Sequence, residues 1–150
     1  MEINKVSLKD LKQISKLERK IFKKNSFSKN LIKNLIKNNT LFLKLESGQN
    51  KKKLIGFVIV IRDKKDRANI INFLIDPEFQ NRGFGSHLLQ KAIDEIKKIK
   101  GIKKIILNVQ ISNSVAINLY ERFEFKKNPD ILENYYQSGE NAYLMELDFD

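Results

Sequence analysis

Asp76-Pro77-Glu78-Phe79-Gln80-Asn81-Arg82-Gly83-Phe84-Gly85-Ser86 separates an apolar run at 68–75 from a stretch in which Leu88, Leu89, Ala92, Ile93, Ile96 and Ile99 recur at helical spacing. The run predicts a strand. Asp76-Pro77 ends it, because proline supplies no amide hydrogen and biases the residue before it away from helix. The stretch after the loop predicts a helix that Gly101 stops, followed by a strand over Lys104–Gln110. A helix of this length between two strands is what a crossover between parallel strands needs.

The chain on either side fits the same architecture. Residues 3–6 predict a short first strand, and Ser7 with Asp10 three residues on predicts a capped helix start. Leu8, Leu11, Ile14, Leu17, Ile21 and Phe22 then follow at helical spacing, and a second helix begins near Ser28. Residues 40–45 and 54–61 predict two strands joined by a hairpin loop containing Ser47-Gly48-Gln49-Asn50. Ser114–Arg122 predicts a short helix capped by Ser112 or Asn113, and the alternation at 141–147 predicts a last strand. The expected fold is α/β (α+β), a mixed central sheet with helices on both faces, in one domain over 1–150.

The loop itself suggests chemistry. Gly83 and Gly85 remove side chains where a ligand would approach the backbone. The first amides of the following helix have no intrahelical partner. Together they predict an anion cradle suited to a pyrophosphate, with Arg82 as an added cation. Leu88 occupies the third glycine position of a dinucleotide fingerprint, and Gly85-Ser86-His87 stands where a nucleoside-triphosphate loop has Gly-Lys-Ser/Thr.

Composition narrows the remaining classes. The chain has no cysteine, which excludes disulfides, cysteine-ligated zinc and a thiol nucleophile of its own. Its one histidine, His87, has Ser86 as its immediate neighbour, a poor basis for a Ser-His-Asp site, and no spacing of carboxylates suggests a metal. No stretch approaches the ~20 apolar residues of a membrane span, and the first residues lack an apolar signal-peptide core. A cytoplasmic location without membrane contact is expected. The formal charge of +11 favours anionic partners, but the lysines form short scattered runs without interleaved aromatics. Sequence-specific nucleic-acid readout is therefore not expected, whereas the ribosome remains an expected docking partner.

Three motifs in order resemble those of the GNAT N-acetyltransferases. The loop carries Q-x-x-G-x-G at Gln80, Gly83 and Gly85 within a motif-A-like segment starting at Asp76. Leu107-Asn108-Val109-Gln110, Ser112-Asn113, Ala116, Leu119-Tyr120 and Phe123-Glu124-Phe125 resemble motif B. Asn134-Tyr135-Tyr136 and Gly139-Glu140-Asn141-Ala142-Tyr143-Leu144-Met145 look like the ending of the RimI-like and Ard-type protein N-terminal acetyltransferases. The resemblance is close over 68–147 and looser before it. It implies the element order β-α-α-β-β-β-α-β-α-β-β, acetyl-CoA as cofactor, and a monomer or homodimer acetylating protein or peptide N-termini.

It also implies residue roles. Phe73, Leu74 and Ile75 would bond the pantetheine arm through their backbone. Asn81, Arg82, Gly83, Phe84, Gly85 and Ser86 would hold the pyrophosphate, and Asn113 would contact the cofactor or cap its helix. Tyr120 would be the general acid: a phenol at pKa ~10 protonates a thiolate of pKa ~8.5 at a cost of about 2 kcal/mol before the site tunes it. Tyr135 and Tyr136 would hold the substrate backbone.

The pattern breaks at three places. Asn108 stands where the family has a basic Glu or His, and an amide can orient a water but not take its proton. Gln110 replaces an arginine, and Glu124 replaces the glycine of G-F. Without a strong base, an α-amine at pKa ~7.7–8.0 loses only about 1 kcal/mol at pH 7, against nearly 5 kcal/mol for lysine at ~10.4. The reading is thus an N-terminal α-amine acetyltransferase, and whether another carboxylate, such as Glu18 or Glu46, reaches the site to supply a base stays open. Small amines, internal lysines or a non-catalytic acyl-CoA-binding role stay open as alternatives.

Overall fold

The computed structural model describes residues 1–149. A short strand β1 (Glu2–Lys5) leads through a 3-10 turn (Leu8–Asp10) into helices α1 (Leu11–Phe22) and α2 (Lys29–Lys37). Three strands follow, β2 (Leu41–Ser47), β3 (Lys53–Lys64) and β4 (Arg67–Ile75). Then come α3 (Phe84–Lys97), β5 (Lys104–Gln110), α4 (Ser114–Arg122), β6 (Lys126–Leu132) and β7 (Ala142–Asp148). The strands form one seven-stranded sheet in the order β1-β2-β3-β4-β5-β7-β6, parallel only between β4 and β5. The element order is the one that the resemblance implies. No helix among the described residues is long and apolar enough to cross a membrane.

Alternation along the strands divides the apolar residues between two cores. Leu41, Leu43 and Leu45 of β2, with Ile105, Leu107 and Val109 of β5, pack under Leu88, Leu89, Ala92 and Ile96 of α3 and Leu119 of α4. Phe42, Phe57, Ile59 and Leu74 point to the other face and meet Ile14 and Leu17 of α1 and Ile32 of α2. Ile14 and Ile32 are wholly buried, worth about 1.5–3 kcal/mol each. Between this second face and the start of α1 sits an ionic cluster. Lys44 Nζ lies 2.9 Å from Asp10 Oδ1 and 3.1 Å from Glu46 Oε1, all three residues buried.

That cluster explains why the first helical stretch is broken. Asp10 caps the turn by accepting from the Ser7 amide at 2.9 Å while ion-pairing to Lys44, so residues 8–10 wind as a tighter turn before α1 begins. At α2, Ser28 accepts from the Leu31 amide at 3.1 Å. The strand β6 is one that period-two reading overlooks, being polar and carrying Pro129; its pairing with β7 breaks between Lys127 and Ile131.

Between β4 and β5 the sheet divides. They pair only from Arg67↔Lys104 to Ile70↔Leu107. Beyond that, β4 stays with β3 as far as Gly56↔Ile75, and β5 stays with β7 as far as Gln110↔Ala142. The parallel pair therefore opens toward the carboxyl ends of both strands, where the loop before α3 begins.

After α4, Glu124 takes the left-handed conformation, with φ 71°. Its position is fixed by helix-ending bonds from Glu124 N–H to Glu121 O (3.0 Å) and Phe125 N–H to Tyr120 O (3.1 Å). A side chain there costs roughly 1–2 kcal/mol, partly offset by the looser unfolded chain that glycine gives. Glu124→Gly is expected to raise stability by about 0.5–1 kcal/mol, read as a higher midpoint in urea unfolding with an unchanged slope.

Candidate active site

The carboxyl end of β4, the loop before α3, and α4 enclose a cleft of about 330 Å³. Phe73, Leu74 and Ile75 line it from β4, Asn81, Gly83, Gly85 and Ser86 from the loop and first turn of α3, and Asn113 from the cap of α4. Eight of the ten residues expected to hold a cofactor are thus gathered around one space. The other two are not among its lining residues. Arg82 lies with its guanidinium 5.6 Å from the Phe79 ring, and Phe84 packs against the same ring at 6.3 Å.

The two glycines have different reasons. Gly83 caps α3 in the left-handed region, φ +84°, and a Cβ there would meet open space. Gly85 has no such φ, but a Cβ on it would approach Leu119 Cδ2 at 3.3 Å, so its absence lets α4 pack against the first turn of α3. The first bond at the start of α3 runs from His87 N–H to Gly83 O at 3.1 Å. The amides of Phe84, Gly85 and Ser86 come before it, at the positive end of a 14-residue helix. Two further polar groups, one in the loop and one on β4, are engaged locally. Gln80 Nε2 donates to Ile75 O at 3.0 Å, and Phe73 N–H donates to Asn72 Oδ1 at 3.0 Å.

Gln80 of the loop motif also lines the cleft, as do Asn118 and Arg122, to which sequence reasoning assigned no role. The signal was available for the last two, which stand four residues apart on α4 and so share a face. Arg122 brings a cation to the cleft that Arg82 was expected to supply. Asn113 does two things: its side chain accepts from the Ala116 amide at 3.1 Å, and it lines the cleft.

A second cavity, about 70 Å³, adjoins the first and shares Phe22, Phe73 and Asn113 with it. Ile70, Ile71 and Asn72 of β4 and Asn108, Val109 and Gln110 of β5 line it across the opened strands. Tyr120 and Tyr136 reach it from α4 and from the loop before β7. The Tyr120 ring stands edge-on to Phe73, centroids 6.0 Å apart, and is tilted against Phe125 at 5.7 Å. Burial pushes the Tyr120 phenol well above the usual tyrosine range, and Tyr136 likewise, helped by Tyr135 and Glu140. Both therefore stay protonated near neutral pH.

Asn108 is held by its amide. Nδ2 donates to the Tyr135 hydroxyl at 2.8 Å, whereas Oδ1 is buried with no hydrogen-bond partner among the described residues. Tyr135 and Tyr136 pack edge to face at 5.0 Å. Asn25, after α1, is fastened to Ser138 by Nδ2–Oγ (3.1 Å) and N–Oδ1 (3.0 Å) bonds, which tie the two loops beside the cavity together.

The carboxylates separate clearly. Glu46 is occupied by Lys44 on β2 and is not among the residues lining either cavity, so it does not serve as the substitute base. Glu18 of α1 lines the small cavity and is 1% exposed. It accepts from the Phe27 amide at 2.8 Å and from the Asn72 side chain. Burial outweighs those bonds and pushes its carboxyl up to about 7.

A family model described as Acetyltransferase (GNAT) family matches residues 9–125. An N-alpha-acetyltransferase of Sulfurisphaera tokodaii is 34% identical over 79 residues, 53% of this chain and 47% of that protein. The chain spans about half the length of the curated relatives it matches. Among solved structures, the ribosomal-protein-S18-alanine N-acetyltransferase from Escherichia coli is 30% identical, with a TM-score of 0.81 over 99% of this chain and 94% of that one. Ard1 from Thermoplasma volcanium, at 23% identity, shares the fold with a TM-score of 0.88 over 99% and 97% of the two chains.

Proposed function

Because the chain belongs to the GNAT acetyltransferase family, we propose that it moves an acetyl group from acetyl-CoA to the α-amine of a protein or peptide N-terminus. The observation that carries this reading is the pair of adjoining cavities along β4, the smaller of which spans the opening to β5. One offers helix amides and a cation to a polyanion, and the other offers neutral tyrosines and amides to an amine.

The larger cleft suits a coenzyme A arm and pyrophosphate in chemistry as well as size. The amides of Phe84, Gly85 and Ser86 suit phosphate oxygens, and the open space beside Gly83 leaves the backbone approachable. Arg122 adds positive charge, and the strand edge at Phe73–Ile75 runs along the cleft wall. Bound there, the acyl thioester supplies an activated carbonyl. Phe73 lines both cavities and Tyr120 lines the smaller one edge-on to it, so the thioester end of the arm would reach the amine beside them.

Tyr120 then gives its proton to the departing sulfur and regains one from the acetylated nitrogen. Its raised pKa is compatible with this, because the apolar burial that holds the proton on oxygen also raises the basicity of a thiolate formed in the same space. Asn108 and Tyr135 brace each other at the cavity wall, and Tyr136 packs the acceptor side. Tyr120→Phe is expected to lower kcat at least tenfold while the acetyl-CoA KM changes by less than twofold; steady-state assays on a matched peptide decide it.

Proton cost supports this acceptor class, as does the similarity to an N-alpha-acetyltransferase and to an S18-alanine N-acetyltransferase. In a mass-shift assay at pH 7, peptides with a free α-amine and blocked lysines should be modified at least tenfold faster than N-terminally blocked peptides with free lysines. Faster lysine modification would overturn the assignment.

The charge distribution supports the ribosome as the setting. Residues 9–37 hold ten lysines and arginines, all exposed, against only Asp10 and Glu18, both buried. This segment therefore carries +8 of the chain's +11, and Phe22, Asn25 and Phe27 within it line the acceptor cavity. A cationic face beside the acceptor site suits ribosomal RNA phosphates. Co-sedimentation with ribosomes is expected at low salt and should fall steeply between 50 and 200 mM salt; failure to co-sediment at low salt would remove this partner.

A further inference from the structure

Removing a proton from an ammonium requires an acceptor, and at the family's usual position for one this chain has Asn108. Around the small cavity, the side chains able to titrate are Glu18 from α1, Tyr120 from α4 and Tyr136 from the loop before β7. The other polar side chains facing it are Asn25 from the loop after α1, Asn72 from β4, Asn108 and Gln110 from β5, and Asn113 at the cap of α4. No lysine, arginine or histidine is among its described lining residues. Both tyrosines carry their protons at neutral pH, so they donate rather than accept. One carboxylate remains.

The geometry connects it to the acceptor. Glu18 from α1 and Asn108 from β5 line the same cavity, Asn108 on the side of β5 away from Leu107 and Val109, and its volume of about 70 Å³ exceeds the roughly 10–15 Å³ that one water needs. The buried and unpartnered Asn108 Oδ1 calls for a donor in that space, either a water or the N–H of an incoming amine. The two bonds that fix Glu18 come from the Phe27 amide and the Asn72 side chain, both neutral. No ion pair stands in the way of its taking a proton, in contrast to Asp10 and Glu46, each held by Lys44.

We propose that Glu18 is the proton acceptor of the acetyl transfer, receiving the proton of the α-ammonium through water held against Asn108 Oδ1. The proposal rests on the N-terminal acetyltransferase reading above. In the balanced step, one N–H bond of the ammonium breaks and its proton passes through water to the Glu18 carboxylate. The freed lone pair forms the bond to the thioester carbonyl carbon and the C–S bond breaks. Tyr120 protonates the sulfur and is reprotonated by the nitrogen. Glu18 returns its proton to solvent after release.

The burial that excludes Glu18 from water suits it to this acceptor. A carboxyl titrating at about 7 takes a proton from an α-ammonium at ~7.7–8.0 with roughly a tenfold disadvantage, against more than a thousandfold for a lysine at ~10.4. An ordinary carboxylate near 4.3 would be several hundredfold worse than Glu18. Activity should therefore fall as pH drops through 7, where Glu18 becomes protonated.

The test compares wild type with Glu18→Gln on two peptides, one with an ordinary alanine terminus and one whose fluorinated first residue leaves the α-amine neutral at pH 7. On the ordinary peptide, kcat should fall at least tenfold with the acetyl-CoA KM unchanged. The variant, left to use amine already deprotonated in solution, should keep gaining rate up to pH ~8, whereas the wild type should level off just above 7. On the fluorinated peptide, the two proteins should agree within threefold. Equal losses on both peptides would assign Glu18 to folding alone, and no loss on either would give it no part; each overturns the proposal. Should Glu18→Gln fold poorly, as a lower melting temperature would reveal, Glu18→Gln with Asn108→Glu places a carboxylate on β5 in the same cavity. Recovery of at least tenfold is expected of a proton acceptor, and none would sink it. A wild type that acetylates only lysines or small amines would instead overturn the acceptor reading, whatever Glu18→Gln does.

Discussion

Four paired positions between β4 and β5, and no fifth, are the constraint on which the rest of the molecule depends. A parallel pair must be joined by a crossover, and α3 fills that role across one face of the sheet. The helix consequently begins at the point where the strands part, and its uncapped amides meet the opening. Each strand beyond the fork keeps its outer neighbour, β3 for β4 and β7 for β5, so the sheet remains ordered while its middle is open. An opened sheet leaves inner backbone edges that must find other partners. Here side chains supply some, as Gln80 does for Ile75 O and Asn72 for Phe73 N–H, and an extended ligand can supply others.

The chain buries several acidic side chains on the α1 side of the sheet, and their surroundings give them opposite characters. Asp10 shares Lys44 with Glu46, and its hydrogen bonds and that cation together outweigh burial, so its carboxyl falls below the usual range. Glu18, two turns along the same helical stretch, has only neutral donors, and burial prevails. The difference arises from strand register: β2 presents Lys44 to the start of the stretch, whereas β4 presents Asn72 to its middle. One helix thereby anchors the fold at its first turn and carries a titratable group at the cavity further on.

The sequence made the centre of the fold readable because its signals there are local. Alternation in β4, proline after it, glycine in the loop and a 3.6-residue period in α3 all fall within thirty residues. The caps at Ser28 and Asn113 are equally local. What escaped was set by tertiary packing. The residues of β6 are polar and interrupted by Pro129, so only the resemblance put a strand there, and it forms because β7 offers it an edge. Gly85 reads as a ligand contact, yet its small size serves Leu119 of α4, a residue thirty-four positions away. Arg82 was expected to meet the cofactor, but Phe79 beside it attracts the guanidinium, and Arg122 from α4 occupies the cleft. Glu18 and Glu46 were indistinguishable as letters; only the fold decides which one meets Lys44 and which meets a cavity.

The interrupted β6 also governs how the molecule behaves toward its own kind. It forms one margin of the sheet, and its outer side would ordinarily present a row of free amides and carbonyls to any passing strand. Pro129 has no amide to offer, the break in pairing between Lys127 and Ile131 bends the margin, and Lys126 and Lys127 bring like charges to it. The opposite margin, β1, is only four residues long and ends in Lys5. A sheet of seven strands with both ends blunted in this way resists lateral growth into fibrils.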